Sequence, residues 1–228
     1  MLSLVAATAL FLGIHLFVSG TGLRNRIVAR VGEGPYQGLF SLASLGAIVW
    51  MVMAWRAAPY EPLWDLGQFG RWIAIDFTLA AFLLAVPGLL SRNPTSAGQG
   101  GVMRDERPAR GMVTITRHPF LWGAALWALG HLAVRGDLAS LLFYGGFAAL
   151  ALYGPHLIDG KLKRRDPEHW QRFAAVTSWV PFLAIVQGRV RPDWAGIGLW
   201  KPALGLALWL LLAFGGHAWL FGVSPFPW

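Results

Sequence analysis

Six stretches of this 228-residue chain are apolar over close to the length of a bilayer crossing: residues 2–19, 36–55, 70–90, 119–134, 138–158 and 200–221. A spanning helix takes about 20 mostly apolar residues, with about 17 as the lower bound, so the fourth is short. Only 13% of residues are charged, against roughly 25% in a soluble domain. That is too little charge to clothe several helices in water. The expected architecture is all-α: a polytopic integral membrane bundle of about six transmembrane helices, with residues 1–228 as one membrane domain. Arg135-Gly136-Asp137 separates spans four and five, and Gly then Asp is a helix stop followed by an N-cap. Residues 119–158 therefore read as a tight helical hairpin.

Charge placement orients the bundle. The first apolar stretch has no basic residue ahead of it and no polar-flanked small-residue cleavage site, so it reads as a span and not as a removed signal. Lys and Arg number three in residues 20–35, five in 91–118 and eight in 159–201, against only Arg56, Arg71 and Arg135 on the other side. Under the positive-inside rule the basic loops face the cytoplasm and both termini the periplasm. The uncharged closing segment Ser224–Trp228 agrees. Residues 91–110, rich in Gly, Pro, Ser and Arg, read as a mobile loop. Residues 159–178 mix charge with Leu162, Trp170 and Phe173 and read as an interfacial amphipathic helix. Trp179-Val-Pro-Phe182 is expected to lie on or re-enter the membrane. Trp55, Trp64, Trp72, Trp200 and Trp219, near span ends, read as interfacial belts.

Several chemistries are excluded. Cysteine is absent, which removes disulfides, thiolate metal sites, cysteine nucleophiles and CxxCH haem attachment. The net charge of +8 is distributed by topology and not along a nucleic-acid-binding face, so no nucleic-acid partner is expected. No P-loop, zinc-protease motif or nucleophile elbow appears. Gly145-Gly146 and Gly215-Gly216 read as points of close helix packing.

The strongest local signal is Gly111-Met-Val-Thr-Ile-Thr-Arg117-His118-Pro119, which opens span four. Pro suits the first helical position, where its missing N–H has no partner to lose. Arg117 and His118 then stand at the positive end of a helix, where a carboxylate or phosphate of a cofactor would bind. The alternative is that Arg117 anchors to lipid phosphate and His118 caps the helix. Four more histidines lie in or beside spans: His15, His131, His156 and His217. Ionisable residues inside a membrane are functional candidates by default, and imidazole is the usual haem ligand. The alternative for each is a neutral ring bonded to a neighbouring helix. His169 falls in a charged loop and reads as solvated. A depth count puts His15, His118 and His156 toward the cytoplasm, and His131 and His217 toward the outside, with His131 roughly 20 Å into span four. Two axial ligands must sit close together, so pairs are expected within a layer. Asp76, early in span three, is expected to pair with Arg71; its alternative is to orient a histidine.

The stretch GMVTITRHPFLWGAALWALGHLAVRGD, from Gly111 to Asp137, resembles the signature of the NnrU family. The likeness extends through Gly13-Ile-His15, Arg24, Asp159-Gly-Lys-Leu162, Trp170–Phe173 and Thr177-Ser-Trp-Val-Pro181-Phe182, nearly the whole chain. It implies a multi-pass protein of the bacterial inner membrane, associated with denitrification and nitric oxide metabolism. The partners it implies are respiratory or denitrification membrane complexes, or a hydrophobic small molecule in the lipid bilayer. The related plant zeta-carotene isomerases imply haem b, cis–trans isomerase chemistry, and His15 and His131 as haem-iron ligands, with His118, His156 and His217 as alternatives. Arg117 would then pair with a propionate. A ligand-adjacent cysteine of the plant enzymes falls on Ala128, so a thiol switch is absent.

A more distant resemblance is to isoprenylcysteine carboxyl methyltransferases, in which an RHP segment opening a membrane helix binds S-adenosylmethionine. Their RHPxYxG tyrosine is Leu121 here, and their paired glutamates reduce to Asp159 and Glu168. Three functions follow as expectations: a haem b protein of nitrogen-oxide metabolism or isomerisation, a non-enzymatic accessory or assembly factor for a respiratory reductase, and a methyltransferase.

Overall fold

A computed structural model describes residues 1–226; Trp228, the residue expected at an interface, lies outside the described residues. The bundle is helical, with α1 at Leu2–Ser19, α2 at Leu23–Val31, α3 at Glu33–Ala57, α4 at Gly67–Leu89, α5 at Met112–Ile115, α6 at Pro119–Val134, α7 at Leu138–Arg165, α8 at Pro167–Ala175, α9 at Leu183–Val186, α10 at Trp194–Ile197 and α11 at Trp200–Phe221. Five of these, α1, α3, α4, α7 and α11, are long and apolar enough to cross a membrane. The predicted fourth span, α6, has 16 residues and falls short of that length. It lies inside the bundle, packed against α4 on one side and α7 on the other. Its ends are set as the sequence predicts: Pro119 occupies the first turn, and the Asp137 carboxylate caps α7 by accepting from the Ser140 N–H at 2.9 Å.

Where α6 meets α4 the backbones nearly touch. A Cβ built on Gly123 would come within 2.7 Å of Ala85 Cβ and 2.8 Å of the Ala81 carbonyl oxygen. Only a residue without a side chain permits that approach, the usual device where helices pack without a hydrophobic driving force. Against α7, α1 and α3 bury a core of Leu4, Ala7, Phe11, Ala47, Met51, Phe143 and Tyr144.

Four expectations need correction. The amphipathic helix does not fill 159–178: α7 continues through Arg165, and Asp166-Pro167 starts a separate nine-residue helix, because Pro favours a first turn. Its Trp170 and Phe173 are buried against Met103, Val113 and Leu162, so its apolar face meets protein and not lipid. The loop at 91–110 holds a 3-10 turn at Gly100–Arg104 with Met103 buried, which fixes part of it to α8. Arg71 donates to the Phe226 carbonyl at 3.2 Å instead of pairing with Asp76, because the last described residues fold back onto α4. Trp55 and Trp64 tie elements together through Ser140 Oγ and the Leu132 carbonyl, 3.1 Å each, while Trp72, Trp200 and Trp219 are exposed on the outer surface.

Candidate functional site

Two polar constellations stand out, at opposite ends of α6. The first surrounds the helix start. Arg117 and His118 are 8% and 2% exposed, so neither reaches lipid phosphate. Both turn onto one carboxylate of α7. Arg117 Nη2 donates to Asp159 Oδ2 and His118 Nε2 lies against Asp159 Oδ1, each at 2.8 Å. Arg117 Nη1 donates to the Thr177 carbonyl at 3.0 Å, and the guanidinium carbon sits 5.2 Å from the Trp170 ring centroid. The Arg117 backbone joins in: its N–H donates to the Ser178 carbonyl, and its carbonyl accepts from Asn93 Nδ2 and Thr95 Oγ1. One residue thus ties together the loop after α4, the start of α6, the end of α7 and the turn after α8. His118 occupies the N-cap position, but its side chain goes to Asp159 and makes no cap bond. An incoming anion would have to compete with Asp159 for the Arg117 guanidinium and for the His118 ring.

The second constellation is the aromatic interior that contains His131 and His15. The two rings are held alike. His15 Nδ1 bonds to the Phe11 carbonyl at 2.7 Å, and His131 Nδ1 to the Trp127 carbonyl at 2.8 Å, each four residues back on its own helix. A carbonyl can only accept, so each Nδ1 carries the proton and each Nε2 keeps its lone pair. Neither Nε2 has a hydrogen-bond partner among the described residues. His15 sits in a π-helical stretch, Ile14–Ser19, that ends α1; such bulges often occur at functional sites. His131 stacks on Tyr144 with centroids 5.0 Å apart and 21° between planes. The rings of Phe11, Phe147 and Trp127 connect the two imidazoles, with successive centroids 4.6, 4.9, 5.6 and 5.0 Å apart.

The levels of the two histidines differ. α1 meets α7 where Thr8 packs on Gly146, and His15 lies seven residues further along, on the order of 10 Å by helical rise. His15 and His131 therefore stand at different levels of the bundle, as the depth count expects, with the rings of Phe11, Phe147 and Trp127 between them. Each imidazole has a fixed tautomer and could ligate an iron through its Nε2, in an apolar aromatic setting whose rings also separate the two histidines. Among the described residues no three His, Cys, Asp or Glu side chains gather into a metal-binding group.

The other histidines are placed differently. His156 is exposed on α7, stacked on Tyr153 and 5.5 Å from the Trp179 ring. His217 bonds through Nδ1 to the Val223 carbonyl. His169, read as solvated, pairs with Asp166 at 2.8 Å.

Outside the spans, Asp193 accepts from the backbone N–H groups of Gly111 and Gly196, both at 2.9 Å. These bonds, Gly111 first, hold its carboxyl below the usual carboxylate range. A depressed folded-state pKa stabilises above the unfolded value, and that stability is lost as pH falls through the folded one. Thermal melts should therefore drop in the acid range below about pH 4. Asp193→Asn, which keeps only one acceptor oxygen, should shrink that acid-dependent part of the Tm; an unchanged profile would contradict the assignment.

Sequence reasoning named Asp159 and Thr177 within family resemblances, and it paired neither of them, nor Asn93, with Arg117. The hairpin offered a signal for Asp159. Counting back and forward by similar numbers from Arg135-Gly136-Asp137 brings His118 alongside the stretch 155–159.

The fold and these sites define a polytopic helical membrane protein with a basic, hydrogen-bonded end and an aromatic, histidine-bearing interior. The NnrU protein family model matches residues 3–225, and the chain belongs to that family. It is similar to the protein named 15-cis-zeta-carotene isomerase, chloroplastic, of Zea mays, at 25% identity over 80% of this chain and 50% of that one. It is also similar to the protein of that name in Arabidopsis thaliana, at 31% identity over 50% of this chain and 32% of that one. The chain thus spans half or less of the length of these curated relatives. No solved structure matches it.

Proposed function

We propose that this protein binds haem b between His15 and His131 and isomerises a cis double bond in an apolar polyene within the membrane. The observation that carries the reading is the matched pair of imidazoles, each with Nδ1 tied to its own helix and Nε2 left free. Support also comes from the isomerase named among the relatives. When bound, the haem supplies the redox-active iron that this polypeptide lacks. The residues contribute orientation and exclusion of water. The carbonyls of Phe11 and Trp127 fix both rings, the helix bonds raise their basicity as ligands, and Phe11, Phe147, Trp127 and Tyr144 keep their surroundings apolar.

The test begins with an absorption spectrum of purified protein in both redox states. A Soret band is expected, with most of its intensity lost in His15→Ala and in His131→Ala and retained in His156→Ala. A colourless protein that gains no spectrum from added haemin overturns the reading. Haem-loaded protein should then convert a 15-cis polyene to its trans form. Haem binding without isomerisation would instead favour a role in nitrogen-oxide metabolism, the other use that family resemblance implies.

A further inference from the structure

A cavity of about 220 Å³ opens beside the start of α6, at the basic end of the bundle, away from His15 and His131. Its walls include Leu121 and Ile158 on the apolar side and Asn93, Thr95, Ser96 and His118 on the polar side. Leu89 and Phe120 also border it. They are 64% and 48% exposed on the outer surface of the bundle, so an apolar chain leaving the cavity would pass into lipid.

The polar wall has a specific chemistry. Asn93 and Thr95 are occupied with the Arg117 carbonyl. The Ser96 hydroxyl and His118 Nδ1 have no partner among the described residues. The His118 side chain is 1% exposed, so water reaches it little. With Nε2 presenting its N–H to Asp159, Nδ1 is an acceptor. Arg117 also belongs to Asp159, so no unpaired cation faces an anionic head group here. The cavity therefore asks for a hydrogen-bond donor on an apolar body. Ligand pockets run about 300–1,000 Å³; this smaller one takes the head and first carbons of a longer molecule.

We infer that this cavity binds the hydroxyl end of a long-chain alcohol entering from the bilayer, its O–H donated to His118 Nδ1 and its chain passing between Leu89 and Phe120. The inference is independent of haem.

The test uses purified full-length protein and a hexadecanol carrying a photoreactive diazirine near its hydroxyl end. Competitors are hexadecanol, its methyl ether and hexadecanoate. Labelling is expected on Leu89, Phe120 or Leu121, with hexadecanol competing at least tenfold better than the ether or the carboxylate. Leu121→Trp, which fills the cavity without touching the Asp159 network, should abolish site-specific labelling. His118→Gln keeps an amide N–H for Asp159 but moves the acceptor from the Nδ1 position to Oε1, and should narrow the preference for alcohol over ether at least threefold. If His118→Gln fails to fold, the competition series and Leu121→Trp decide. Equal competition by all three compounds, better competition by the carboxylate, or labelling indifferent to Leu121→Trp each overturns the proposal.

Discussion

Asp159→Ala is expected to destabilise the protein by about 3–5 kcal/mol, because it leaves a buried cation without its counter-charge. The Arg117 and Asp159 side chains are 10% and 16% exposed and meet at 2.8 Å. Removing the carboxylate strands the guanidinium in a site where Trp170 and Thr177 cannot neutralise it, and it frees His118 as well. Thermal unfolding in detergent should show the loss as a large fall in Tm. Asp159→Asn should fall between wild type and Ala, since an amide oxygen still accepts one bond. The sharper measurement is a double-mutant cycle. If Arg117 and Asp159 act as one unit, Arg117→Met with Asp159→Leu should be clearly less damaging than the sum of the single changes. Additive effects, or an Asp159→Ala protein as stable as wild type, would show that the network does not hold the helix ends together.

Gly123→Ala is expected to cost about 1–3 kcal/mol through overpacking, although Ala is the better helix former by about 1 kcal/mol. The added methyl would meet the Ala81 carbonyl oxygen at 2.8 Å, and backbone cannot rotate away as a side chain can. To make room, α6 must separate from α4 along its length. Gly145→Ala is the control. Its nearest neighbour would be Leu141 Cδ1 at an ordinary 3.7 Å, so it should be neutral or slightly stabilising. A pair of equal melting temperatures would mean that α4 and α6 do not approach as described.

The helices themselves were readable from local composition, because apolar length and sparse charge are decided within each segment. The same holds for the break at Arg135-Gly136-Asp137 and for Pro119 at the start of α6. The family likeness already pointed to Asp159, Trp170 and Thr177 as part of one signature, without saying that they converge on Arg117. That convergence spans 42 and 60 residues of sequence, and no periodicity encodes it. Gly145 and Gly146 show the same limit: they are neighbours in the chain, yet only a Cβ on Gly146 would meet Thr8, at 2.8 Å.

The sequence by itself determined that this is a helical membrane chain with histidines in its apolar interior and an Arg-His pair at a helix start. Composition and short-range spacing suffice for that, since each span must satisfy its own backbone hydrogen bonds in lipid. Only the tertiary structure decided what those side chains face. It turned Arg117 and His118 inward onto Asp159, and it left His15 and His131 with matching free nitrogens among aromatic rings. Which way a polar side chain turns depends on the neighbour that packing supplies, and in this bundle those neighbours come from distant helices.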